Sequence, residues 1–213
     1  MEIKSDQNSN TEKCGVVSTG LSLDNNYWNN QYIANTVGWD LGEVSPPIKA
    51  YIDQLINKDV RILIPGCGNT YEAAYLLKQG FSNITVIDFA PVLIEQLKEK
   101  YQGNPNIKII LSDFFKHEGE YDLILEQTFF CAINPTLRKD YVAKMKELLA
   151  TNGKLVGVLF DREFEQQGPP FGGSKCLYEP MFEKDFNFNT FELCNNSFVK
   201  RAGTELFINF SKK

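Results

Sequence analysis

The chain has 213 residues, enough for one substantial core and short for two. Its lysines and arginines are scattered over a net charge of −5, which argues against a nucleic-acid surface built on clustered cations. No apolar run approaches the ~18 residues of a membrane span, and the polar Met1–Asn10 stretch has no apolar signal core, so a cytoplasmic protein is expected.

Residues 1–22 are rich in Ser, Asn, Thr and Gly and read as a flexible tail. The rest, 23–213, reads as a single domain. Both tryptophans lie just past the tail, at Trp28 and Trp39. Trp28 and Tyr32 are four apart, so one helical turn puts them on the same face. Local grounds leave two roles open for this segment, an anchor for the N-terminal extension or a cover over a ligand. Ser45-Pro46-Pro47 is a helix start, with Ile48, Tyr51, Ile52, Leu55 and Ile56 as its apolar face.

A strand is expected over Val60 to Ile64, running into the turn Pro65-Gly66-Cys67-Gly68-Asn69. The following helix ends near Gln79, with Ala73, Ala74 and Leu77 facing the sheet and Gly80 as its stop. Strand two, Ile84 to Asp88, ends on a carboxylate. A helix over Pro91 to Tyr101 leads to strand three, Ile107 to Leu111, followed by Ser112-Asp113-Phe114-Phe115. Tyr121 to Leu125 is a near-continuous apolar run suited to a central parallel strand. Pro135 opens a helix with the stripe Leu137, Tyr141, Met145, Leu148, stopping at Asn152-Gly153 before strand five, Leu155 to Phe160. Gln167-Gly168-Pro169-Pro170-Phe171-Gly172-Gly173 is a loop. A short helix around Tyr178 to Lys184 precedes two β-like runs, Thr190 to Cys194 and Glu205 to Phe210, which suit an antiparallel pair at the sheet edge. Strands alternating with helices imply right-handed crossovers and a doubly wound α/β sheet.

The glycine turn departs from the dinucleotide fingerprint, because Tyr71 stands where a third glycine would allow helix packing around a pyrophosphate. No lysine follows it, so it is not a phosphate-cradling loop either. Gly66 and Gly68 then suit a ligand without phosphate that approaches bare backbone. Asp88 suits a ribose hydroxyl pair, and Asp113 beside Phe114 suits an adenine amine against an aromatic wall. Together these describe adenosine without phosphate, most economically S-adenosylmethionine. A nicotinamide-dependent oxidoreductase, disfavoured by Tyr71, and a non-catalytic adenosine-ligand sensor stay open as alternatives.

The segments Trp28-x3-Tyr32-x6-Trp39-Asp40-Leu41-Gly42, Ile64-Pro65-Gly66-Cys67-Gly68, Ser112-Asp113-Phe114-Phe115, Thr128-Phe129-Phe130-Cys131-Ala132-Ile133-Asn134-Pro135 and Gly168-Pro169-Pro170-Phe171 resemble the thiopurine S-methyltransferase superfamily. The likeness is nearest to its plant and bacterial thiol/halide methyltransferase branch. The resemblance implies a Rossmann-like class I methyltransferase fold with an antiparallel closing strand, S-adenosylmethionine as donor, S-adenosylhomocysteine as product, and a small soft nucleophile as acceptor. It implies donor-binding roles for Trp28, Tyr32, Trp39, Gly66, Asp88, Asp113 and Gln127, with 23–44 as a lid. Two positions depart from the family pattern: Tyr32, where plant relatives often have Trp, and Glu126-Gln127, where Asp followed by an aromatic or basic residue is common.

A nucleophile ionised near neutral pH, such as a thiolate, hydrosulfide or halide, needs no strong base. The chain offers little in that line, since its one histidine, His117, lies in a polar loop and reads as a surface residue. Phe130, Phe171 and Arg162, just past strand five, are candidates for the acceptor pocket. Cys131 reads as a buried thiol. Five widely spaced cysteines and no metal-ligand spacing point to reduced thiols and no metal, and a monomer is the expectation.

Overall fold

The computed structural model describes residues 22–166 and 168–213. The tail expected over 1–22 lies outside the described residues, apart from Ser22. Helices α1 (Asn25–Ile33) and α2 (Pro46–Ile52) precede strand β1 (Ile62–Pro65). Then come α3 (Tyr71–Lys78), β2 (Ile84–Asp88), α4 (Pro91–Lys100), β3 (Ile107–Leu111), β4 (Tyr121–Gln127) and α5 (Arg138–Leu148). Strand β5 (Leu149–Phe160), α6 (Lys175–Phe182), β6 (Phe186–Leu193) and β7 (Glu205–Lys212) complete the chain.

The strands form one sheet in the order β3-β2-β1-β4-β5-β7-β6. Pairings from β3 through β5 are parallel, and β7 runs antiparallel to both β5 and β6. This is the Rossmann-like doubly wound sheet with its antiparallel closing hairpin. Strand alternation distributes the core over two faces. Ile62, Ile64, Leu123 and Leu125 pack with Ile48, Leu76 and Leu93 on one side. Leu63, Ile124 and Leu155 pack with Tyr141, Met145 and Phe182 on the other.

Three local expectations shift. Helix α2 stops at Ile52, and Ile56, read as part of its apolar face, is 93 % exposed. Helix α3 buries Glu72, Ala73 and Leu76, so its sheet-facing side is rotated away from Ala74 and Leu77. Helix α5 ends at Leu148 and passes directly into β5, so Gly153 is not a helix stop. Pairing with β4 jumps from Tyr121↔Leu149 to Leu123↔Lys154, and the intervening residues bulge out. A Cβ on Gly153 would stand 2.9 Å from the carbonyl oxygens of both Ala150 and Tyr121, so the bulge, and not a cap, requires that glycine.

Candidate active site

The strand order reverses between β1 and β4, because the chain winds outward through β2 and β3 and then returns to β1's other side. Open parallel sheets form a crevice at such a switch point, beyond the carboxyl ends of the strands. A cavity of about 530 Å³ lies there, walled by residues just past β1, β2, β3 and β4 and by residues from Ser22 to Glu43.

The turn after β1 is built on left-handed backbone, with φ of +54° at Gly66 and +51° at Gly68. A Cβ on Gly66 would stand 2.2 Å from Cδ2 of Phe129. Bare backbone at Gly66 therefore seats the protein's own aromatic ring, where close approach of a ligand was expected. At Gly68 the nearest side-chain atom is the Tyr32 hydroxyl, 3.4 Å from an added Cβ. Thr70, at the start of α3, borders the cavity, and its buried Oγ1 has no protein partner.

Asp88, at the end of β2, is 8 % exposed. Its Oδ2 accepts from the Gly68 amide at 3.3 Å and its Oδ1 from the Ala90 amide at 3.0 Å. Each carboxylate oxygen keeps a further lone pair for a ligand. Burial pushes this carboxyl above its ordinary range, and the amides of Ala90, Gly68 and Phe89 pull it back. Asp113, past β3, accepts the Phe115 amide on Oδ1 at 3.0 Å and borders the cavity. Phe114 beside it is 5 % exposed and packs edge-on to Phe129 at 5.1 Å. Gln127 ends β4 and donates through Nε2 to Thr128 Oγ1 at 2.8 Å, while its buried Oε1 has no partner.

The segment before β1 covers this wall. Helix α1 begins at Asp24, whose side chain accepts from the Tyr27 amide. Its one-turn spacing aims Trp28 and Tyr32 together, and the Trp39 ring lies edge-on to both, at 5.4 and 5.9 Å. All three border the cavity. Burial, with the nearby Asp88 charge, pushes the Tyr32 phenol upward, so it stays a neutral donor. The segment thus packs on the domain and borders the cavity at once. A tether that the sequence reading missed holds it down: Asp40 accepts from the Asn69 side chain and, at 3.1 Å, from the Tyr71 hydroxyl. Tyr71, where a third glycine would stand, thus ties the glycine turn to the cover.

Four expected positions fall elsewhere. Phe130 is 2 % exposed and buried against Tyr141, Tyr178 and Phe182, while its neighbour Phe129 faces the cavity. The reason is Thr128, whose left-handed φ of +65° redirects the chain leaving β4. Phe171 is also buried, its amide donating to the Cys131 carbonyl at 2.7 Å, and Pro169 and Pro170 border the cavity in its place. Arg162 is exposed, outside the cavity, with its guanidinium over Phe164 at 4.7 Å. His117 is not a surface residue: it is 6 % exposed, 2.8 Å from the Tyr121 hydroxyl, and away from the cavity wall. The polar spelling of its loop concealed a ring stacked at 5.9 Å on Tyr121.

The most deeply buried acid beside the site is Glu126, at 0 % exposure on β4. Its Oε1 accepts the Phe129 and Phe130 amides at 2.8 and 2.9 Å, and its Oε2 the Tyr141 hydroxyl at 2.5 Å. It therefore shapes the loop that carries Phe129. Burial pushes its carboxyl up to about 7, against the opposing pull of these three donors. With the folded-state value above the unfolded one, the folded protein binds the extra proton between pH 4.5 and 7, so stability falls as pH rises through that window. Asp88, Glu72 and Glu205, also pushed up by burial, act in the same direction. The diagnostic is thus a difference. Urea titrations at pH 5 and pH 8 should show that Glu126→Gln loses less stability than the parent, by on the order of 2–3 kcal/mol. Equal losses would mean that Glu126 is ionised throughout.

The described residues around the cavity include six carboxylates (Asp24, Asp40, Glu43, Glu72, Asp88, Asp113) and no Lys, Arg or His. That charge pattern repels a pyrophosphate, which removes the nicotinamide-dinucleotide reading, and attracts a cation. S-adenosylmethionine, with its sulfonium and ammonium, fits it, and Thr70 and Gln127, which border the cavity, each carry a buried oxygen without a protein partner. Burial pushes the bordering thiols upward, Cys67 strongly and Cys131 to about 12, so both are neutral and neither is a nucleophile.

The family model described as thiopurine S-methyltransferase matches residues 23–207. A probable thiol methyltransferase of Arabidopsis thaliana is 30 % identical over 159 residues, covering 72 % of this chain and 70 % of its own. A thiopurine S-methyltransferase of Acinetobacter baylyi is 26 % identical over 189 residues, covering 76 % and 86 %. Among solved structures, the 1,6-didemethyltoxoflavin-N1-methyltransferase of Burkholderia thailandensis, with S-adenosylhomocysteine bound, superposes with a TM-score of 0.71 at 16 % identity over 92 % of this chain and 93 % of its own.

Proposed function

The chain belongs to the thiopurine S-methyltransferase family and is an S-adenosylmethionine-dependent methyltransferase, and from that premise we propose that its acceptor is a small thiol that enters neutral and reacts as its thiolate. The observation that carries this reading is the wall beyond β4. Phe115, Phe129, Ile133, Leu137, Pro169 and Pro170 line it, and no described lining residue is a lysine, arginine or histidine. A permanently charged anion such as thiocyanate or iodide would leave water with no protein cation to receive it. A neutral thiol crosses the same barrier at little cost.

The bound donor supplies an activated methyl group on a sulfonium. The chain's residues hold and orient it. Asp88 is positioned for the ribose hydroxyls, Asp113 for the adenine amine, and Phe114 for the ring face. Trp28, Tyr32 and Trp39 supply π-faces to the cationic end, worth on the order of 1–2 kcal/mol when desolvated. Gly66 and Gly68 shape the turn, and Gln127 completes the polar wall. The acceptor sulfur loses its proton to solvent and its electron pair forms the new carbon–sulfur bond, while the sulfonium bond breaks to release S-adenosylhomocysteine. Attack of an anion on a cation cancels charge, so a dry wall favours the step once alignment is achieved.

A methyl-transfer assay against thiols of graded acidity, hydrosulfide, thiocyanate and iodide tests the reading. Thiols should be preferred, and kcat/KM should rise with pH along each thiol's own ionisation. Preference for thiocyanate or iodide would overturn it. No helix among the described residues is long and apolar enough to cross a membrane. The odd, widely spaced cysteines support a cytoplasmic protein, and our reading of its state is a monomer acting alone on its small-molecule substrate.

A further inference from the structure

Arg201 lies on the short 3-10 turn Val199–Arg201 between β6 and β7, and it does not border the cavity. Its side chain is nevertheless only 12 % exposed. Nη2 donates to the Trp39 carbonyl at 2.9 Å, and Nη1 donates to Thr128 Oγ1 at 3.0 Å. Glu205 Oε1 stands 3.4 Å from Nη1, and Phe160 underlies the guanidinium at 5.2 Å. One partly buried cation thus joins a carbonyl of the cover segment to the residue that turns the chain out of β4. These partners are 162 and 73 positions away in sequence.

Thr128 sits in left-handed backbone at φ +65°, which a β-branched residue occupies only when its surroundings hold it there. Its Oγ1 accepts from Arg201 Nη1 and from Gln127 Nε2, which uses both lone pairs. The hydroxyl proton is its remaining capacity, and Thr128 borders the cavity. Gln127 Oε1, buried and without a partner, is the complementary acceptor.

We propose that Arg201 is a positioning residue that fixes two walls of the active site at once, holding the cover segment through Trp39 and orienting Thr128 toward the methyl acceptor. A planar guanidinium with donors on separate nitrogens is suited to this, because it meets two acceptors in a fixed fork that a lysine ammonium cannot reproduce. The proposal rests on the methyltransferase reading for its acceptor arm, while its donor arm stands on binding alone.

The test compares Arg201→Met, Arg201→Lys and Thr128→Val, the last preserving shape and β-branching. Donor affinity is read from tryptophan emission, since Trp28 and Trp39 are the only tryptophans and both lie on the cover. Arg201→Met should raise the acceptor KM about tenfold and the donor Kd several-fold, with a blunted emission change, when assayed well below its melting temperature. Arg201→Lys should recover part of both. Thr128→Val should raise the acceptor KM while leaving donor Kd within about twofold, as expected when only the acceptor-side bond is removed. Parental KM and Kd in folded Arg201→Met would overturn the proposal. If that variant does not fold, a parental acceptor KM in Thr128→Val overturns it. If the parent methylates no thiol, the proposed acceptor is wrong, and the donor Kd and emission of the Arg201 variants still decide the cover contact.

Discussion

Replacing Asp88 with alanine is expected to raise the dissociation constant for S-adenosylmethionine about ten- to a hundredfold, the equivalent of about 1.5–3 kcal/mol for hydrogen bonds to a charged group. The structure places the result toward the upper end. Asp88 also accepts from the Gly68 and Ala90 amides, so its loss frees two backbone donors and loosens the turn that it helps to fold. Asp88→Asn separates the two contributions. It keeps one carbonyl oxygen for an amide and loses the charge, so donor affinity should fall to an intermediate value while thermal stability stays close to the parent's. Calorimetry showing unchanged affinity in Asp88→Ala would remove the ribose assignment.

Gly66→Ala should be the more damaging substitution for the protein as a whole. The new Cβ would lie 2.2 Å from the Phe129 ring, and the backbone φ of +54° is itself unfavourable for any side chain. Left-handed backbone costs a non-glycine residue about 1–3 kcal/mol, before the ring has moved. Displacing Phe129 also strains the two amides that Glu126 holds. We therefore expect lower stability in urea titration and loss of measurable methyl transfer at parental substrate concentrations. Combining Gly66→Ala with Phe129→Ala should recover part of the stability, because the clash is relieved while the backbone cost remains. Additive losses in the double variant would show that the ring contact is not the cause.

The helix and strand order was legible because its signals are short-range. Ser45-Pro46-Pro47 opens α2 and Pro91 opens α4 at the expected positions. Boundaries failed where tertiary contacts overrode local spelling. Gly153 serves a bulge in β5, and Glu72 is buried with its carboxylate near the Ser45 amide at 3.4 Å. Of the expected site, Trp28, Tyr32, Trp39, Gly66, Gly68, Asp88, Asp113, Phe114 and Gln127 do converge on one cavity. Phe130, Phe171 and Arg162 do not; Asp40 and Phe129 lay within the segments that carry the resemblance and Glu126 at a departure from it, none with a role assigned, and Arg201 carried no sequence signal that marked it.

The glycine turn shows where the division falls. By itself, the sequence determined that a turn without a third glycine or a lysine would follow β1, with acids at the next two strand tips. Those features depend on neighbours within a few residues and on the fixed period of strands, so they can be read along the chain. Only the tertiary structure decided what lies against the turn: Phe129 over Gly66, Tyr32 over Gly68, and Tyr71 holding Asp40 of the cover. It also decided which of two adjacent phenylalanines faces the cavity, through one left-handed residue at Thr128, and which arginine braces it from 73 positions away. Such choices turn on backbone direction and on long-range burial, where a single reversed φ or a distant hydrogen bond outweighs every local preference.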